Sequence, residues 1–280
     1  MKKIGFIDYY ISEWHANNYP AWIREACQKK GLDFEVKYAY AEEYTSPVDK
    51  RNTDEWCADF GVERCHSIAE LCEKSDFIVI LAPSNPEKHL AYASEALKYG
   101  KRTYIDKTFA PDFKTSKQIF DIAKKYGASF FSSSALRYSE ALSGINNVKY
   151  VTTFGGGSNF DEYAVHQAEM VISVLKETPL SVRVEKQGAQ YCTFVKLSGE
   201  KEATMLYSPS LPYAISFENG DGKTEYRPAG VGHFQNLILD IVEFFDTGRV
   251  SFDTDETFEV MKLREAAVKA SVTPGKEIIA

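Results

Sequence analysis

Polar and apolar positions along the first half of the chain follow two alternating rhythms. Short strand-like runs occupy residues 4–7, 34–41, 77–81, 102–105 and 129–132, and the continuous FIVIL of 77–81 has the character of a central parallel strand buried on both faces. Between them lie helically spaced stretches at 20–30, closed by Gly31, at 68–73, at 87–98, ended by Gly100, and at 115–126, ended by Gly127. A glycine just past a periodic segment stops a helix because it enters the left-handed conformation without steric cost. Strands alternating with helices of this length predict an α/β, doubly wound parallel sheet, whose ligands bind beyond the carboxyl ends of the strands.

The texture changes near residue 136. Strand-like runs follow at 148–154, 181–186, 191–197, 203–207 and 214–218, punctuated by turn residues such as Asn219-Gly220-Asp221-Gly222. Helical stretches fall at 163–175, 233–245 and 257–271. This pattern predicts a second, α+β domain with a mostly antiparallel open sheet, and the division is expected at 134/135. No internal repeat or low-complexity segment is present in the sequence.

Composition narrows the partners. The chain has 280 residues and is 44% apolar, enough for two well-buried cores, and its formal charge is -7. A net negative balance disfavours nucleic acid, which requires clustered Lys and Arg, so a small-molecule substrate is expected. No stretch approaches the ~20 apolar residues of a membrane span. Lys2 and Lys3 precede an apolar run that Asp8 breaks at once, so no export signal is read there and a cytoplasmic location is expected. The five cysteines form no C-x-x-C pair and read as reduced, mostly buried thiols; no metal is expected.

A dinucleotide-binding domain runs its first strand into G-x-G-x-x-G, because glycines let the backbone approach a pyrophosphate at a helix N-terminus. Here only Gly5 survives, inside the strand, and the loop contains Asp8 and Glu13. Two like charges at 4 Å repel by about 1 kcal/mol in water and ~4 kcal/mol at an effective dielectric of 20. The second strand carries Tyr38-Ala39-Tyr40 where a ribose-binding acid is expected, and Glu42 and Glu43 come later.

Asp106-Lys107 stands just beyond the fourth apolar run, where this architecture builds sites, and Lys107 is the first catalytic candidate; the competing reading is a solvated loop lysine paired with Asp106. In the second domain, Gly155-Gly156-Gly157 opens a loop into a helix on which Glu162, His166 and Glu169 share one face. His166 is suited to proton transfer near neutral pH, and a buried structural histidine is the alternative. The triple glycine reads as a strand-to-helix hinge, because no P-loop lysine follows it. His89 and His66 read as structural, whereas Trp14 and His15 sit where a ligand cleft is expected.

These landmarks together resemble the Gfo/Idh/MocA family of NAD(P)-dependent sugar and cyclitol oxidoreductases, over nearly the whole chain. "DFIVILAP" precedes a helix carrying His89, and "ALKYGKRTYIDKTFA" is similar to the family's AL-x-x-GK-x-V-x-x-EKP segment. "EYAVHQAEMVISVL" is similar to its D-x-x-x-H helix, and "VGHFQNLILDIVEFF" to "REAAVKAS" matches its returning C-terminal helices. The resemblance implies a Rossmann-like dinucleotide-binding domain over 1–134 and a substrate and oligomerisation domain over 135–280. It implies that Lys107 and His166 flank the carbon giving up hydride, with Glu162 at the position of the family's aspartate. NAD or NADP would contact Ile7, Asp8, Ser12, His15, Pro83, Ser84, Asn85 and Asp106, and substrate would contact Tyr163 and Arg137. A homodimer or homotetramer through the open sheet is implied as well. The departures are Asp106 for Glu, Thr108 for Pro, Glu162 for Asp, and the missing glycine fingerprint. Two other readings share the same pocket: a protein holding a sugar-like ligand or a partner without dinucleotide, and an elimination or isomerisation enzyme with tightly held cofactor.

Overall fold

The computed structural model describes residues 1–219 and 221–280, which form two compact units. The expected division has the chain pass once from one domain to the other, near residue 134. The first unit comprises Met1–Ser133 and Ile238–Phe252, and the second Ser134–Leu237 and Asp253–Ala280. Among the described residues no helix is long and apolar enough to cross a membrane.

The first unit is a six-stranded sheet of β1 (Lys2–Asp8), β2 (Phe34–Ala41), β3 (Glu63–Arg64), β4 (Phe77–Ile80), β5 (Thr103–Ile105) and β6 (Phe130–Ser132). The order is β3-β2-β1-β4-β5-β6 with every pairing parallel, so the strand order reverses between β1 and β4. Loops after these two strands therefore open the crevice in which doubly wound sheets bind ligands. Its helices are α1 (Trp14–Lys30), α2 (Thr53–Phe60), α3 (Ile68–Lys74), α4 (His89–Ala96) and α5 (Phe113–Tyr126).

Two differences from the sequence pattern have local causes. Helix α1 begins six residues before the expected position, because Glu13 caps it and Pro20, which reads as a start signal, lies inside it. Helix α2 has too few apolar residues for a periodicity signal, yet its start was marked by a capping box. The Asn52 side chain accepts from the Glu55 amide, and the Glu55 carboxylate accepts from the Asn52 amide, at 2.9 Å each. Gly5 serves packing: a Cβ there would lie 2.4 Å from Ser75 Oγ and 2.5 Å from a Leu71 methyl, so the glycine lets α3 press against β1.

The second unit is a seven-stranded sheet of β7 (Tyr150–Gly155), β8 (Pro179–Gln187), β9 (Gln190–Leu197), β10 (Lys201–Tyr207), β11 (Ala214–Glu218), β12 (Thr224–Pro228) and β13 (Glu277–Ile279), ordered β12-β11-β7-β10-β9-β8-β13. All neighbours are antiparallel except β10 with β7. Helices α6 (Phe160–Leu175) and α8 (Glu256–Ser271) cover one face and contribute Ala164, Ala168, Ile172, Leu263 and Ala267 to its core. The other face carries Tyr150, Arg183, Phe194 and Lys196 along a shallow groove. Strands β12 and β13 lack an apolar run because they are edges with few buried side chains. Helix α7 (His233–Thr247) joins the two units. The expected turn at Asn219 to Gly222 includes Gly220, which lies outside the described residues.

Candidate functional site

At the carboxyl end of β1, Asp8 is 1% exposed and its Oδ1 accepts from the amides of Tyr9 at 2.7 Å and Ala82 at 3.0 Å. It thereby ties β1 to the turn after β4, where Ala82 adopts a left-handed φ of 59°. Its Oδ2 is buried without a hydrogen-bond partner. Burial, followed by the charge of Glu13, holds the Asp8 carboxyl well above the usual carboxylate range.

The chain then reaches Glu13, whose extended backbone begins α1. Its carboxylate accepts from the amides of His15 at 2.8 Å and Ala16 at 2.5 Å, closing the end of the helix from which unsatisfied N–H groups project. His15 Nδ1 lies 3.3 Å from Glu13 Oε2 and 3.6 Å from Asp106 Oδ2. Asp106 follows β5, is buried, and accepts from the Tyr104 hydroxyl at 3.1 Å. Burial, then Asp106 and Glu13, push the Tyr19 hydroxyl well above its ordinary range, so this buried phenol stays neutral. Ser12 donates its hydroxyl to Asp49 at 2.7 Å, so it braces the loop before α2. Ile7 is wholly buried within β1.

Lys107 is buried, and its ammonium donates to the Pro83 carbonyl at 3.1 Å, rather than standing in a solvated loop. His89 lies with Nδ1 3.0 Å from the Phe109 carbonyl oxygen and Nε2 2.5 Å from that of Leu81. These contacts pin the turn after β4 to the segment after β5, fixing the backbone that presents Lys107. Asn85 donates to Glu87 at 3.0 Å in the same turn, and Ser84 is exposed.

In the second unit, Asn159 caps α6 by accepting from the Glu162 amide at 2.8 Å, and its amide lies 3.2 Å from the Glu162 carboxylate. Two turns on, His166 Nδ1 is 2.7 Å from Ser134 Oγ. That hydroxyl also accepts from the Leu136 amide at 3.3 Å, so Ser134 ties the imidazole ring to the start of the following turn. The Ser134 amide donates to Glu169 at 3.1 Å; Arg137 donates to Glu169 at 2.5 Å and to Glu256 at 2.6 Å. Burial opposes the Arg137 charge, but Glu169 and Glu256 outweigh it and raise its pKa. Arg137 thus braces the segment carrying Ser134.

Tyr163 and Tyr213 flank His166, with ring centroids 5.6 and 5.5 Å from its own. The triple glycine is a packing device. Tyr213 and Tyr207 donate to the carbonyls of Gly156 and Gly157 at 2.8 Å each, and a Cβ on Gly156 would lie 2.2 Å from the Ser208 carbonyl oxygen. Sequence reasoning missed Ser134 and Tyr213, since neither sits in a patterned motif, and it read Glu13 as stray charge instead of a cap. Among the described residues no group of His, Cys, Asp and Glu is arranged to hold a metal ion.

Three solved structures share this architecture over nearly their whole length. GenD2 from gentamicin A biosynthesis, in complex with NAD, has a TM-score of 0.79 and 12% identity, covering 100% of this chain and 97% of that one. Myo-inositol 2-dehydrogenase from Lactobacillus plantarum has a TM-score of 0.77 and 14% identity, covering 99% of each. UDP-N-acetylglucosamine 3-dehydrogenase from Acidithiobacillus ferrooxidans has a TM-score of 0.73 and 14% identity, covering 98% and 97%. At such identities the likeness is one of fold, and no curated protein matches the sequence. Residues 43–134 match the model of the Gfo/Idh/MocA oxidoreductase family, described by its NAD-binding Rossmann fold.

Over residues 43–134 the chain is thus similar to the Gfo/Idh/MocA oxidoreductases, and over its whole length it shares their fold.

The similarity to NAD-binding oxidoreductases raises the question whether these residues fit a dinucleotide. A diphosphate at a helix N-terminus needs free amides and close backbone approach. In this chain the amides of His15 and Ala16 are engaged by Glu13, and the loop of residues 9–13 contains no glycine. The buried oxygens Asp8 Oδ2 and Asp106 Oδ2 lack hydrogen-bond partners. This end of α1 does not fit a dinucleotide diphosphate.

Proposed function

We propose that the protein is an oxidoreductase acting at a hydroxyl-bearing carbon of a sugar, cyclitol or related polyol, with Lys107 and His166 handling the hydroxyl proton. The observation that carries this reading is Lys107: an ammonium buried at the carboxyl end of a parallel strand, on a backbone clamped by His89, within the segment matched by the family model. Named sugar and cyclitol dehydrogenases of the same fold support the substrate class.

Oxidation of an alcohol removes a proton from oxygen and a hydride from carbon; under this reading the hydride acceptor would be a nicotinamide cofactor, whose binding the titration below tests. The Lys107 ammonium hydrogen-bonds the hydroxyl oxygen and stabilises its developing negative charge. His166, whose Nδ1 is held by Ser134 at 2.7 Å, presents Nε2 as the base that takes up the hydroxyl proton. Tyr163 walls the substrate, and Glu162 holds the first turn of α6; Arg137 acts through Glu169 and Ser134 instead of touching substrate. No step is assigned to a nicotinamide cofactor, because the diphosphate end does not fit.

That misfit favours a second reading, a protein that holds the same class of ligand without dinucleotide. Titration with NADH and NADPH, following nicotinamide fluorescence, separates the two when paired with a polyol screen. Saturable binding with turnover supports the oxidoreductase; polyol binding with neither supports the second reading. Under the first reading Lys107→Met lowers turnover by well over about tenfold, and an unchanged rate removes Lys107 from the mechanism. We also propose assembly as a homodimer or homotetramer through the open face of the β7–β13 sheet, supported by its exposed Tyr150 and Phe194. A monomer in sedimentation at micromolar concentration refutes it.

A further inference from the structure

We infer that Glu13 is a built-in anion: its carboxylate stands where a diphosphate would meet α1 and keeps phosphate-bearing ligands from that end of the helix. Rossmann domains hold phosphate with N–H groups that are otherwise unsatisfied. Here those of His15 and Ala16 are satisfied at 2.8 and 2.5 Å by a side chain of the same chain, itself 7% exposed. Glutamate does this because the loop of residues 9–13 brings its backbone to the cap position in an extended conformation, from which the long side chain folds back over the first turn.

The surroundings reinforce the exclusion. Asp106 keeps a buried carboxyl oxygen without a hydrogen-bond partner, 3.6 Å from His15 Nδ1, so a dianionic ligand would meet an acid as well as a closed helix end. Lys2 and Lys3 lie at the opposite end of β1, and Lys107 is directed to Pro83. The inference goes beyond the functional reading and, of its two versions, favours the one without dinucleotide: it concerns which ligands α1 admits, not what happens at Lys107 and His166.

The test uses the full chain and compares wild type with Glu13→Ser, which restores a short N-cap of ordinary type while withdrawing the charge. Probes are pyrophosphate, ADP-ribose and NADH, followed by calorimetry. Wild type is expected to bind none of them saturably at millimolar concentration, and Glu13→Ser to bind pyrophosphate and ADP-ribose at least about tenfold more tightly. Wild-type NADH binding that pyrophosphate displaces would overturn the inference. So would a folded Glu13→Ser, verified by circular dichroism, without gain for either probe. If that variant does not fold, Glu13→Gln carries the same comparison, since it removes the charge and retains a carbonyl cap. Polyol binding measured in the same samples reports separately on the proposed function, so the failure of one is not read as failure of the other.

Discussion

Asp8→Asn should stabilise the protein, and increasingly so as pH rises. Asp8 is 1% exposed; its Oδ1 accepts two backbone amides, and its Oδ2 has no partner. Burial and Glu13 raise its folded-state pKa well above the unfolded value. Between those two values the folded chain keeps a proton that the unfolded chain releases, so folding becomes less favourable with every step in pH. The slope is about 1.4 kcal/mol per pH unit, beginning near the unfolded pKa of about 4 and ending at the folded one. Asparagine keeps the accepting oxygen and never ionises, so it removes this cost. The stability difference between variant and wild type should therefore widen as pH rises from about 4 toward the folded-state pKa and level off beyond it. Urea denaturation across that range, with the m-value checked for constancy, measures it directly. A difference that is flat with pH, or that narrows as pH rises, would show that Asp8 is ionised in the fold and that the reasoning is wrong.

Three further outcomes are expected. Ser134→Ala should release His166 from its hydrogen bond at Nδ1, giving a mixed Nδ1 and Nε2 pattern in nitrogen NMR where wild type shows a single tautomer, and Ser134→Thr should restore it; an unaltered pattern removes Ser134 as a positioning residue. Arg137→Met leaves the buried Glu169 and Glu256 without their cation and should cost about 3 to 5 kcal/mol in urea denaturation, whereas a loss below about 1 kcal/mol would mean that the network contributes little. Gly156→Ala drives a Cβ to 2.2 Å from Ser208 O and 2.7 Å from Pro209 O, both backbone atoms, so the thermal midpoint should fall by roughly 4 °C or more; an unshifted midpoint would mean that this turn yields freely.

The architecture was legible because every parallel strand but β3 is a short, largely apolar run and intervening helices end on left-handed glycines, as at Gly31, Gly100 and Gly127. The start of α1 was not, since a glutamate N-cap has no distinctive spacing and Pro20 offers a stronger, misleading signal. Edge strands such as β12 escape for a related reason: with alternate residues open to solvent and no face fully buried, nothing in the composition separates them from a loop. At the candidate site, Lys107 and His166 stand out by residue type and by their place after a strand or on a helix. Ser134 does not, because its contact with His166 joins residues 32 apart in the chain. Arg137 enters as a ligand contact through the family resemblance, and its ion pairs with Glu169 and Glu256, 32 and 119 residues away, are not legible from the sequence.

The composition of the first unit from two separated segments has a bearing on how the protein is made. Phe245 stacks on Phe77 at 4.7 Å with planes 2° apart, and Phe244 meets Phe131 edge-on at 5.1 Å. Arg102 also hydrogen-bonds the carbonyls of Phe245 and Asp246. Until the ribosome has released residues 238–252, the sheet therefore lacks part of its own apolar cover. A nascent chain of 133 residues carries every strand of that sheet and still exposes Phe77 and Phe131, so the first half to be synthesised cannot be the first half to finish folding.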